Sequence, residues 1–179
     1  MLLQIQPVPK DEFILTNMVY CHPMDMPSTT DETDAYVKIN GCIYILRPDP
    51  VVYKGSIVMS ALQRISTRTA VMDQLIVEPV PCPHSSCRHI TLEIDELDEH
   101  EQGPTNFVGS NVFGELFRKE FRNHVFMPRQ EFVMRYPKTV LKAKVLDIDF
   151  GEEETGVIGE DTEVEVTLAP RSALCVSNV

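Results

Sequence analysis

No run of apolar residues in this chain approaches the ~20 needed to cross a bilayer as a helix. Met1-Leu2-Leu3-Gln4 does not open a basic segment followed by a long apolar one, so a secretory signal is not expected. Positive charge is scarce. The 179 residues carry 16 Lys and Arg against 27 Asp and Glu, for a net charge of −11 and a pI near 4.8. Such a field repels phosphate backbones and anionic lipid, which makes nucleic acid a poor partner. The five cysteines are odd in number and irregular in spacing, which does not describe a disulfide framework. They read as reduced thiols in the cytosol. The chain reads as soluble and intracellular.

Catalytic signatures are missing too. A phosphate-cradling loop exposes glycine N–H groups and places a lysine on the phosphates, but no G-x-x-x-x-G-K-[ST] occurs. The chain should not hydrolyse ATP by itself. Aspartic-protease chemistry needs a carboxylate dyad, and neither Asp-Thr-Gly nor Asp-Ser-Gly is present. There is no G-x-S-x-G elbow.

What is there can build a core. Apolar residues make up 43% of the chain and charged residues 24%, a balance suited to one large domain or two small ones. Tyr36–Ile39 and Cys42–Leu46 flank Asn40-Gly41, a hairpin signal because both turn positions need φ > 0. Arg47-Pro48-Asp49-Pro50 should stop the second strand. Ile57–Met59 reads as a strand, Ser60–Ser66 as a helical turn, and Gln74–Val80 as another strand. Three prolines within Pro79–Pro83 favour a stiff connector, so a boundary falls near residues 81–88. Beyond it, Ile90, Leu92 and Ile94 alternate with polar residues as in a strand buried on one face. The clearest helix is expected over Asn111–His124, capped by Ser110 or Asn111, with Val112, Phe113, Leu116, Phe117 and Phe121 in one apolar stripe. Phe132–Tyr136, Val140–Ile148 and Glu163–Leu168 read as further strands, and Ala169–Val179 as a patternless tail. Glu152–Glu154 reads as a solvated acidic loop. The whole is expected to be β-rich and mixed, with one main helix.

One cluster invites chemistry: Cys82-Pro83-His84-Ser85-Ser86-Cys87-Arg88-His89. Cys82, His84, Cys87 and His89 are zinc-ligand types. Structural zinc sites usually draw ligand pairs from two separated turns, so this short spacing favours a polar linker. Arg118, Lys119 and Arg122 fall opposite the phenylalanine stripe and read as a solvated face. Arg64 and Arg68 follow an apolar strand in a chain short of positive charge. They can anchor an acidic partner by bidentate pairing or serve as plain surface.

The order of several weak motifs over most of the chain resembles the amino-terminal domain of the vesicle-fusing ATPase, N-ethylmaleimide-sensitive factor. Asp11-Glu12-Phe13-Ile14-Leu15-Thr16-Asn17 is similar to the family's opening strand. Gly55-Ser56-Ile57 followed by Gln63-Arg64 resembles its G-S-I … Q-R element. Thr91-Leu92-Glu93-Ile94-Asp95, then Glu115–Phe126 and Gln130–Phe132, resemble later elements, and Gly151–Leu168 its last loop and strand. The resemblance implies a double-psi β-barrel over 1–81, a linker over 82–88, a small α/β subdomain over 89–168, and a tail over 169–179 leading to ATPase domains. It implies no cofactor in this chain, with ATP and Mg²⁺ bound by the neighbouring ATPase domains of a hexamer. It implies a non-catalytic, cytoplasmic role, peripheral to transport membranes: gripping soluble NSF attachment protein, the SNAP adaptor that coats SNARE complexes, through the groove between subdomains.

Carried over residue by residue, Arg64 matches the family's arginine and is the leading contact. The next basic position is Ile65 here. A family lysine pair falls at Glu99 and His100, and Lys10 lies near an amino-terminal basic position. Arg68, Arg118 and Arg122 are the substitutes at hand. Two other readings compete. Related amino-terminal domains bind ubiquitin or ubiquitin-like adaptors in protein degradation, and the Cys82–His89 cluster could make a free-standing metal-binding protein.

Overall fold

The computed structural model describes residues 1–28, 34–97, 107–137 and 139–178. Glu99 and His100, where the family's lysine pair falls, lie outside them. The chain divides into two compact units, Met1–Cys82 and Pro83–Val179.

The first unit contains β1 (Leu2–Gln6), α1 (Glu12–Leu15), β2 (Val19–Cys21), a 3₁₀ turn at Pro23–Asp25, β3 (Ala35–Ile39), β4 (Cys42–Pro48), β5 (Ser56–Val58), α2 (Ala61–Thr67), β6 (Gln74–Ile76) and β7 (Glu78–Val80). Its strands form one sheet in the order β6-β1-β5-β2-β4-β3-β7. The stretch read as one strand over Gln74–Val80 is two. β6 pairs with β1 and β7 with β3, at opposite ends of the sheet. Only buried Val77 separates them, its N–H donating to Met1 O at 2.8 Å. The two sheet ends are thus joined through one residue, and the sheet is nearly closed like a barrel.

Alternation explains the filling of this barrel. Leu3 and Ile5 of β1 point inward with Val19, Val37, Ile39, Leu46, Ile57 and Met59, while Leu2, Gln4 and Gln6 lie on the other face. The β3–β4 hairpin turns at Asn40 (φ 45°) and Gly41 (φ 90°), the two positive values that a tight hairpin turn demands. β4 runs past its expected stop to Pro48, because Arg47 and Pro48 still align with Tyr20 and Cys21 of β2. The opening segment is also corrected. Glu12–Leu15 is a short helix, not a strand, with Phe13 stacked on Tyr20 at 4.1 Å between ring centroids.

The second unit contains β8 (His89–Glu96), β9 (Phe107–Gly109), α3 (Ser110–Glu120), β10 (Glu131–Tyr136), β11 (Thr139–Asp149), β12 (Glu163–Leu168) and β13 (Cys175–Ser177). One sheet runs β10-β11-β8-β12, and β13 pairs with β9. Ile90, Leu92 and Ile94 of β8 are fully buried. Phe113 and Phe117 of α3 meet Phe121, Phe126 and Phe132 in one aromatic cluster. The helix is shorter than its apolar period suggested. It ends at Glu120, and Asn123 takes a positive φ of 66° just beyond. Neither Ser110 nor Asn111 caps it. Gly109 holds the cap position without a side-chain bond, and its N–H donates instead to Tyr136 Oη at 3.1 Å.

Two further expectations give way here. Residues 83–88 are built into the second unit. Cys87 is buried, its N–H donates to Val157 O at 2.7 Å, and Arg88 N–H donates to Asp149 O at 2.8 Å. The tail is not patternless either: Leu174 joins the core and Cys175–Ser177 pairs in parallel with β9.

Candidate functional site

The G-S-I … Q-R residues build the seat of α2. Gly55 takes φ 80°, a conformation costly for other residues, and its N–H donates to Asp25 Oδ2 at 2.6 Å. Ser60 and Gln63 form a capping box. Ser60 Oγ accepts from Gln63 N–H at 3.2 Å, and Gln63 Oε1 accepts from Ser60 N–H at 2.9 Å. Gln63 Nε2 also donates to Met18 O at 3.0 Å, fixing the helix to the chain just before β2. Arg64 is half-buried, and its Nη1 donates to Met59 O at 2.7 Å. One edge of its guanidinium therefore holds the strand-to-helix corner.

Arg68 stands differently. It terminates α2 in the left-handed region, at φ 55° and ψ 48°, with its N–H bonded to the carbonyls of Arg64 and Ile65. Glycine or asparagine usually takes this place, because a Cβ is strained there. Met72 repeats the pattern at φ 75°. Asn17, Asn40 and Asn123 suit such angles. Arg68 and Met72 do not, nor do Arg129 (φ 70°) and Arg171 (φ 68°) of the second unit, and Arg68 and Met72 both present their side chains to solvent.

The sequence around α2 is short of negative charge. From Pro50 to Met72 there is no Asp or Glu, while Lys54, Arg64 and Arg68 are present. All 27 acids lie outside this stretch. Asp73, next in sequence, has Oδ2 turned back onto Ala70 N–H at 2.8 Å. Within the unit, α2 carries Arg64 and Arg68 with no acid between Pro50 and Met72 in sequence, and exposed Asp73 closes the turn that follows.

The other expected basic contacts are more occupied or more distant in the chain. Lys10 is exposed, 4.0 Å from Glu12 and 6.0 Å from the Phe13 ring centre. Arg118 belongs to the second unit, half-buried, with Nη1 donating to Thr162 O at 3.3 Å. Arg122 pairs with Glu160 at 2.8 Å on exposed surface, an arrangement of small worth to stability.

The Cys82–His89 segment spans the division between the two units. Cys82 ends the first unit and is exposed; His84 is exposed in the second. The Cys87 thiol donates to His89 O at 3.4 Å, and burial pushes it up to about 11. His89 Nε2 lies 3.4 Å from Glu165 Oε2. Among the described residues no group of three or more His, Cys, Asp or Glu is placed to hold a metal ion. Burial likewise raises the thiols of Cys21, to about 12, and Cys42. Among the described residues no helix is long and apolar enough to cross a membrane.

Sequence reasoning took Arg64 as the main contact and passed over Met72. The acid-free stretch from Pro50 to Met72 was the signal that could have located the surface. No protein-family model matches the chain, and no curated protein matches it.

Proposed function

We propose that this chain is the non-catalytic grip of a vesicle-fusing ATPase. It docks the SNAP adaptor on SNARE complexes, while ATP and Mg²⁺ serve ATPase domains outside these residues. The observation that carries the reading is α2: two arginines in an acid-free stretch of a chain with net charge −11. The β-rich first unit supports it as well. The parallel pairs β1–β5 and β2–β4 flank the antiparallel pair β2–β5, an arrangement compatible with a double-psi barrel. In this reading the domain works in the cytoplasm, reaches transport membranes through its adaptor, and becomes hexameric only with its ATPase domains.

Arg68 is the better probe than Arg64, because Arg64 also holds the Met59 carbonyl. Arg68→Glu should weaken binding of adaptor-coated SNARE complex by ten-fold or more, as reversal of a charge pair costs about 1.4 kcal/mol or above. The thermal midpoint should stay within a few degrees. A titration by calorimetry, with ubiquitin as the second titrant, measures this. Tight ubiquitin binding with no adaptor response would transfer the domain to the degradation class.

A further inference from the structure

The two larger sheets end in β6, β7, β10 and β12. A strand edge presents N–H and C=O groups that pair readily with another extended chain, and proteins blunt such edges with charge or proline. β7 contains Glu78 and Pro79, β10 carries Glu131 and Arg135, and β12 carries Glu163 and Glu165. β6 is Gln74-Leu75-Ile76, with neither charge nor proline.

Hydrogen bonds on both sides of β1 fix which groups that edge presents. Gln4 N–H turns toward β5 and donates to Gly55 O at 2.9 Å, while Ile5 N–H turns the other way and donates to Asp73 O at 2.9 Å. Val77 N–H donates to Met1 O at 2.8 Å. Between these last two bonds Leu3 stands opposite Leu75. Asp73, Leu75 and Val77 therefore face β1 with their backbone groups. The alternation of an antiparallel ladder points those of Gln74 and Ile76 away from it. Among the described residues no strand pairs with that side of β6, and Gln74 and Ile76 are both exposed.

Side chains along the edge are apolar on both faces. Leu75 joins the barrel core. On the outer face Leu2 and Ile76 stand opposite one another, 62% and 77% exposed. They form a ladder pair without mutual hydrogen bonds, the type that brings side chains closest. Charge then selects the sign of an occupant. Asp73 at one end of β6 is exposed, with Oδ2 accepting from Ala70 N–H. Glu78 at the other end stands opposite Lys38. The chain as a whole carries −11, a field that draws cationic segments and repels a second copy of this chain.

We propose that β6 is a docking edge for an extended, basic segment of a partner protein, which adds a strand to the first sheet. Its backbone pairs with Gln74 and Ile76, its alternate apolar side chains cover Ile76 and Leu2, and a Lys or Arg stands beside Asp73. In strand addition the main-chain bonds supply affinity and the alternate side chains supply specificity. This edge does not depend on the arginines of α2.

The test uses the full 179-residue chain as bait for a displayed library of random peptides, and the selected peptides are then synthesised. They should be net basic, with apolar residues at alternate positions. Their binding should shift the amide NMR signals of residues 72–77 and slow hydrogen exchange at Gln74 and Ile76. N-methylation along the peptide should weaken binding at least ten-fold at alternate positions, because every second N–H faces the edge. Gln74→Pro removes an N–H that points away from β1, so the thermal midpoint should hold within a few degrees while affinity falls at least ten-fold. The N-methyl scan leaves the protein unaltered, so it decides the matter even where proline disturbs the fold. Arg68→Glu should leave peptide affinity unchanged, which separates this edge from the docking face at α2. A selection without binders, acidic winners, shifts elsewhere, or an N-methyl scan without alternation would overturn the proposal. So would sedimentation showing a dimer of the chain that Gln74→Pro abolishes, because the edge would then belong to a second copy.

Discussion

At the residue scale, Arg68 carries a conflict between folding and display. Its left-handed backbone closes α2 by bonding back to Arg64 and Ile65, yet its Cβ makes that conformation costly. Glycine removes the strain. Arg68→Gly should therefore stabilise the domain by about 0.5–1 kcal/mol while weakening adaptor binding. Denaturant unfolding and calorimetric titration on the same variant read the two signs. A loss of both stability and binding would mean that the guanidinium supports the fold. Arg64 shows the limit of a sequence reading at this scale. Its place after Gln63 was visible, but its bond to Met59 O depends on a corner that only the folded chain creates.

At the scale of elements, legibility followed how local the cause was. The β3–β4 hairpin was readable because Asn40-Gly41 settles its own turn. β8 was readable because Ile90, Leu92 and Ile94 alternate cleanly. The ends of α3 were not. Its apolar period continues through Phe121, but the chain turns at Asn123 to deliver Phe126 and Phe132 into the same cluster. Those rings come from α3, the turn after it and β10, all within residues 113–132, and helical period alone does not show their meeting. Phe117 touches three of them, with centroids 5.3–5.9 Å away. Phe117→Ala should cost about 3–5 kcal/mol, read as a fall in the urea midpoint. β13 was missed for a related reason: its partner β9 lies far back in the chain, so the tail holds no pattern of its own.

At the scale of the whole molecule, charge organises what packing does not. The described buried side chains form separate clusters, two in the first unit and one in the second, and the composition announced that a core could form without saying where function lay. The candidate site emerged from a contrast: a stretch with no acid in a chain that has 27. That contrast was present in the sequence. What was absent from it was the register of β1 with β6, which sets Leu2 beside Ile76 and joins Met72 to the glutamines of β1.

The single residue between β6 and β7 has a consequence in time. β1 cannot pair with β6 until residues 70 to 74 apart in sequence have met, nor β3 with β7 until residues 40 to 44 apart have met. Loop closure of that length is costly before any contact repays it. The join at Val77 should then form late in folding and open early in unfolding. Val77→Ala should speed unfolding several-fold and leave the refolding rate nearly unchanged in stopped-flow experiments. An equal slowing of refolding would place the closure in the nucleus instead. A late-forming join would make the life of the closed barrel a matter of how fast one valine lets go.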